Sequence, residues 1–285
     1  MSTFQFEAIG TSWEITSRDD FDIAPIHKEI EDFDTYFSRF KPTSFISNLA
    51  KKKGIFEVRE DLTTLLLMYL PLYHLTGGLF TPLIGQQLVE AGYDSDYSLK
   101  EKELHDIPDL TEVVEVLDST HIELKKPALL DIGAIGKGYL IDKVVTLLRN
   151  SGHSELVVDA GGDIYVHSAS NLPKVIGLEH PDDQTMVLGT VPVCNQGICG
   201  SAGNRRKWGR FHHIINPKTH SSPEHILAVW VIASSTAIAD GLSTALFFVK
   251  PEVLSKQYRF DYVIVYSDGT YSSSTSFKGE LFLSP

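Results

Sequence analysis

Several stretches of the sequence combine residue types that can do chemistry. In SSTAIADGLSTALFF, Asp240 and Thr244 lie four apart, and on a helix that spacing puts both side chains on one face. A carboxylate with a hydroxyl is a hard-oxygen pair, suited to Mg²⁺ rather than Zn²⁺. Asp240 interrupts a small, apolar run, so its charge must be paired, bind a metal or face water. The competing reading is an exposed Asp with Thr244 bonding back to its own helix. In DIGAIGKGYLID, Gly133, Gly136 and Gly138 stand between an expected strand end at Asp131 and a helix, with Lys137 among them. Such a turn can hold a phosphate on helix N–H groups and the lysine, or can simply be a tight connection. It matches neither the Walker A pattern nor G-x-G-x-x-G.

Three further stretches qualify. His212 and His213 precede the Asn216-Pro217 turn signal, where a histidine can act as a general base or merely face solvent on an edge strand. In VVDAGGDIYV, Asp159 and Asp163 flank a double-glycine turn. Gly77-Gly78-Leu79-Phe80-Thr81-Pro82 can lay backbone and an aromatic ring against a flat ligand, or can be a helix stop followed by a proline start.

The elements that must position these residues read as follows. Two strands flank Gly10-Thr11. Ile26, Ile30, Phe33 and Phe37 form one apolar helix face. Residues 38–48 read as a loop, and 61–74 as a helix that Pro71 should kink or interrupt. Residues 82–91 make a short helix, and 94–128 are connections and short strands. The segment 129–131 reads as a strand end, followed by the glycine-rich turn and a helix to about Arg149, with Gly152 at its C-cap. Strands are expected at 154–159, 174–178, 186–193 and 228–233, a helix at 235–249, and a hairpin over 262–277 with Asp268-Gly269 at its turn. Strands and helices intermix without a βαβ rhythm, which favours an α+β class in a single domain over 1–285.

The bulk composition narrows the partners. Of 285 residues, 37 are acidic and 25 basic, a formal charge of -12. Such a surface disfavours nucleic acid and anionic membranes. A polyanionic substrate then needs a metal ion or backbone N–H groups. Cys194 and Cys199 make no disulfide framework. The first residues, MSTFQFEAIGTSWEI, alternate like a strand and carry no signal-peptide or lipobox pattern, so a cytoplasmic location is expected.

Taken in order, FEAIGTSWEI, FSRFKPTSFISNL, GGLFTP, LDIGAIGKGYLIDK, VVDAGGDI, HHIINPKTH and IADGLSTALF resemble the ApbE family of FAD:protein FMN transferases, from about residue 4 to 250. The resemblance implies a T-fold-like α+β architecture with mixed sheets and packed helices around an FAD groove. It implies a Mg²⁺ bound by the backbone carbonyl of Ala134 with Asp240 and Thr244. It places the flavin-site positions on Ile9, Phe40, Leu79, Phe80, Thr81, Asp131, Lys137 and Ile214, and a catalytic histidine on His213, with Asp159 as another candidate base. The implied reaction transfers FMN from FAD to a Thr or Ser hydroxyl of a target flavoprotein and releases AMP. Hydrolysis of FAD to FMN and AMP, or FAD binding without turnover, are the other functions such a chain can have. The sequence departs from the family pattern at Thr81 and Asn216, where Asp is usual, at Ser201-Ala202-Gly203, where Thr-Ser-Gly is usual, and at His220, where Gly is usual.

Overall fold

The computed structural model describes residues 1–181, 183–204 and 206–282. Its chain opens with a hairpin of β1 (Ser2–Ala8) and β2 (Thr11–Ser17), then α1 (Ala24–Phe37) and α2 (Phe45–Leu49). β3 (Gly54–Glu57) precedes α3 (Glu60–Leu75) and α4 (Gly85–Glu90), and β4 (Val114–Val116) and β5 (His121–Leu124) complete a small sheet with β3. The long helix α5 (Gly133–Asn150) leads to β6 (Glu155–Ala160) and β7 (Asp163–Ser168). β8 (Lys174–His180), β9 (Asp183–Val193) and β10 (Gln196–Ala202) follow, then the short pair β11 (Lys207–Trp208) and β12 (Phe211–His212). β13 (Ile226–Ala233), α6 (Thr236–Ala245), β14 (Phe260–Tyr266), β15 (Tyr271–Ser273) and β16 (Glu280–Leu281) close the chain.

The main sheet has eight strands in the order β1-β2-β6-β7-β10-β13-β14-β15. Neighbours in space are thus neighbours in sequence, apart from the elements inserted between them. Every described strand pair is antiparallel, where mixed directions were expected.

Period-two alternation sorts each strand between two cores. Cys199, Val231 and Ile264 join the large core under the helices, while Ile198, Ile232, Val263 and Val265 face a second core under the sheet β16-β9-β8. The apolar face read for α1 is the one buried: Ile26, Ile30, Phe33 and Phe37. Three local expectations change. Residues 38–48 contain the start of α2, capped by the Ser44 side chain. Pro71 sits inside an unbroken α3; the carbonyl it deprives of a donor belongs to Leu67, which is exposed, so water can take that bond. Residues 129–131 form no strand, and the glycine-rich segment is not a loop but the first turns of α5. No described helix is long and apolar enough to cross a membrane.

Candidate active site

The site begins where α5 and α6 touch. A Cβ on Gly138 would lie 2.4 Å from the Thr236 carbonyl oxygen, so only glycine lets the two helices approach this closely. The approach is fixed from α5: Asp142 accepts hydrogen bonds from the amides of Thr236 and Ala237, each at 2.9 Å, and so caps α6 together with Ser235. Gly138 donates its amide to Asp240 Oδ2 at 2.9 Å. In a regular helix that amide would point at the Ala134 carbonyl, so Asp240 competes for the donor Ala134 would otherwise have. Ala134, Asp240 and Thr244 all line the same groove.

Behind them lies a buried cluster. One ligand atom each of Asp163, Cys199 and Asp240 fall within 4.8 Å of one another. Lys137 Nζ stands 2.6 Å from Asp163 Oδ2 and 3.3 Å from the Ala160 carbonyl. Burial pushes the Asp240 carboxyl well above its ordinary range, and the Asp163 charge adds to this while Lys137 opposes it. Burial also opposes the Lys137 charge, but Asp163 and Asp240 outweigh it and hold that pKa up. A cation beside Asp240 would offset what burial and the Asp163 charge cost its ionised form, and Ala134, Asp240 and Thr244 offer carbonyl, carboxylate and hydroxyl oxygens to the same groove. This set fits a divalent cation.

The groove, of about 840 Å³, is lined by Lys137, Asp163 and Asp240 of this cluster and by an aromatic wall. Phe40 stacks on Tyr97 at 5.4 Å with rings 6° apart and meets Tyr93 edge-on, and Tyr93 stacks on Trp208. The Trp208 indole donates to the Ala91 carbonyl, and the Arg39 guanidinium lies 4.1 Å over the Phe40 ring. Arg39 also pairs with Asp131, whose other oxygen accepts from the Gly133 amide at the start of α5. Ile9 and Gly10 form the two-residue turn between β1 and β2 with φ of 46° and 74°. A β-branched residue is strained at positive φ, and this one borders the groove.

Of the residues singled out from sequence, Ile9, Phe40, Leu79, Phe80, Thr81, Asp131, Ala134, Lys137, His213, Ile214, Asp240 and Thr244 line this one groove. Asp159 lies outside its lining. It pairs across the sheet with Glu14 and Ile164, while Ala160, one residue on, pairs with Asp163. Cross-strand partners point the same way, so Asp163 shares the helix side with the buried Ala160 and Asp159 faces the opposite side. Strand parity therefore turns Asp163, and not the candidate base Asp159, toward the groove. Asp163, Cys199, Arg39, Tyr93 and Trp208 were missed as site residues; alternation along β6, β7 and β10 was the signal available for the first two.

The departures at Thr81 and Asn216 preserve local structure. Thr81 Oγ1 accepts from the Leu83 amide and caps the 3₁₀ turn Pro82–Ile84, as an Asp would. Asn216 Oδ1 accepts from the amides of Lys218 and Thr219. His220 has φ of 53°, which explains a preference for glycine there. Ser201 bonds Ser243 at 2.8 Å and reaches Thr244 at 3.4 Å, tying β10 to α6. His212, unlike His213, is outside the groove: its Nε2 bonds the Pro223 carbonyl and its Nδ1 accepts from the Ile214 amide.

A family profile described as the ApbE family matches residues 9–261. The FAD:protein FMN transferase of Haemophilus influenzae is 29% identical over 164 residues, 52% of this chain and 47% of that protein. The protein of the same name from Escherichia coli is 28% identical over 145 residues, 48% of this chain and 41% of that one. The chain thus spans about half the length of these curated relatives. Among solved structures, the ApbE protein of Thermotoga maritima superposes with a TM-score of 0.82 at 23% identity, covering 100% of this chain and 99% of the other. The flavin transferase ApbE of Vibrio cholerae superposes with a TM-score of 0.81 at 22% identity, covering 97% and 98%.

Proposed function

The chain belongs to the ApbE family, and from that premise we propose that it transfers FMN from FAD to a threonine or serine hydroxyl of an acceptor flavoprotein, releasing AMP, with residues 1–285 acting as one catalytic domain. The observation that carries this reading is that one groove is lined both by Ala134, Asp240 and Thr244 and by an aromatic wall. A dinucleotide has that same division, a charged pyrophosphate between flat rings.

The Ala134 carbonyl, Asp240 and Thr244 would hold Mg²⁺, which when bound supplies positive charge to the pyrophosphate and to the departing AMP. The packed rings of Phe40, Tyr93 and Trp208 form an aromatic side for a ring system, and Ile9, Leu79, Phe80, Thr81 and Ile214 shape its bed. The Asp131 carboxylate holds the start of α5 and is itself held by Arg39, which fixes the position of Ala134. Lys137 balances Asp163 first; any contact with phosphate comes after that duty. His213, on the groove wall, takes the proton of the attacking hydroxyl. The remaining work is positioning and electrostatics, as phosphoryl-type transfers require. AMP release from FAD, followed by chromatography with and without Mg²⁺, tests the cleavage half. Release that ignores both Mg²⁺ and the Asp240→Asn change would overturn the assignment of these groups.

A further inference from the structure

The hard-oxygen reading of the metal centre leaves out a sulfur. Cys199 is fully buried, and its place on β10 turns it toward the helices, where its Sγ joins Asp163 and Asp240. Among the described residues its Sγ makes one long bond, donated to the Thr236 carbonyl at 3.4 Å, so no strong structural bond there holds the thiol. Asp240 is 6% exposed and lines the groove, and its Oδ1 has no hydrogen-bond partner among the described residues, Oδ2 alone being taken by Gly138.

We propose that Cys199 is a thiolate ligand that lets this centre bind thiophilic divalent cations of the Zn²⁺ and Cd²⁺ class, in competition with Mg²⁺. The inference rests on the metal centre proposed above and concerns which ion it takes. A tetrahedral zinc ion, with bonds of about 2.3 Å to sulfur and about 2.1 Å to oxygen, holds its ligand atoms roughly 3.5 Å apart. The cluster's ligand atoms lie within 4.8 Å of one another, so one ion reaches all three once they close by up to about 1.3 Å, a rotamer-scale adjustment. Asp163 is already oriented: its Oδ1 accepts from the Gly200 amide on the neighbouring strand, and Lys137 holds Oδ2. Coordination forms one metal–sulfur bond and releases the thiol proton to solvent, with no change of oxidation state. Sulfur in place of a water or hydroxyl ligand shifts preference from hard toward borderline and soft ions. Cys194, the other thiol, lies in the turn between β9 and β10 outside this cluster and serves as a control.

The test titrates Cd²⁺ into the metal-free full chain and reads the ultraviolet sulfur-to-cadmium charge-transfer band. One equivalent should produce the band, excess Mg²⁺ should weaken it, and Cys194→Ala should keep it. Cys199→Ser should abolish it and weaken Cd²⁺ binding at least about tenfold, while changing Mg²⁺ affinity far less. Cadmium NMR on the unmodified chain reads sulfur ligation without any variant, should Cys199→Ser fold poorly. A band that survives Cys199→Ser, or a cadmium shift typical of oxygen ligands alone, overturns the proposal. Neither readout involves FAD, so a failure of the transferase reading would leave this result intact, and the reverse.

Discussion

Lys137 Nζ lies 2.6 Å from Asp163 Oδ2, so the lysine of the glycine-rich segment is the counterion of a buried carboxylate. Lys137→Ala removes the only ammonium facing Asp163 and Asp240 among the described residues. Taking one partner from a largely buried pair costs about 3 kcal/mol, reduced here to about 2 because the lysine is partly exposed. Chemical denaturation should show that loss without Mg²⁺, a smaller loss with it, and recovery in Lys137→Ala with Asp163→Asn. Unchanged stability with weakened FAD binding would mean that Lys137 serves phosphate instead.

Gly138 sets how closely α5 meets α6. The added methyl of Gly138→Ala would meet the backbone of Thr236, which has no flexible side chain to yield. The expected cost is about 2 kcal/mol, in line with overpacking elsewhere. Because Ala134 is on α5 while Asp240 and Thr244 are on α6, Mg²⁺ affinity should fall with it. Denaturation and metal titration on the same sample check both. Undiminished Mg²⁺ affinity would show that the two helices need not meet to build the site.

His212 should make stability depend on pH. Burial depresses its pKa below the ordinary imidazole value, and the neutral ring both donates to Pro223 and accepts from Ile214. The unfolded chain therefore takes up the proton first as pH falls. The contribution is complete above about pH 6.5 and is lost as pH drops from there to the depressed folded value. Thermal midpoints of the wild type should fall more steeply across that window than those of His212→Gln. Parallel slopes would contradict this.

The substitutions that set this chain apart from the family pattern should be tolerated in reverse. Thr81→Asp and Asn216→Asp keep the acceptor oxygens that cap the 3₁₀ turn and close the Asn216-Pro217 turn. Asn216→Asp, in a partly exposed turn, should change stability by less than about 0.5 kcal/mol, and Thr81→Asp, at a buried cap, should cost no more than about 2 kcal/mol. A larger loss in thermal unfolding would show that these oxygens do more than cap.

Helix-forming residues were legible because their periodicity records burial directly: Ile26, Ile30, Phe33 and Phe37 needed nothing beyond spacing. So were Asp240 and Thr244, whose partnership is local to one helix. Other features depend on contacts between segments distant in sequence. Gly138 looked like ligand-binding chemistry but is explained by Thr236, almost a hundred positions away. The choice between Asp159 and Asp163 turns on which face of the sheet each strand presents, and that follows from pairing with β2 and β10. The same holds for Cys199, which is unremarkable until β10 is laid beside β7.

The central claim, FMN transfer at this groove, is tested most directly by the intact mass of an acceptor flavoprotein carrying a candidate Thr or Ser site, after incubation with the chain, FAD and Mg²⁺. FMN transfer gives an adduct of one FMN per acceptor, one AMP released for each adduct, and loss of both in Asp240→Asn. AMP released in the presence of a competent acceptor that stays unmodified, or an adduct formed undiminished by Asp240→Asn, would contradict it.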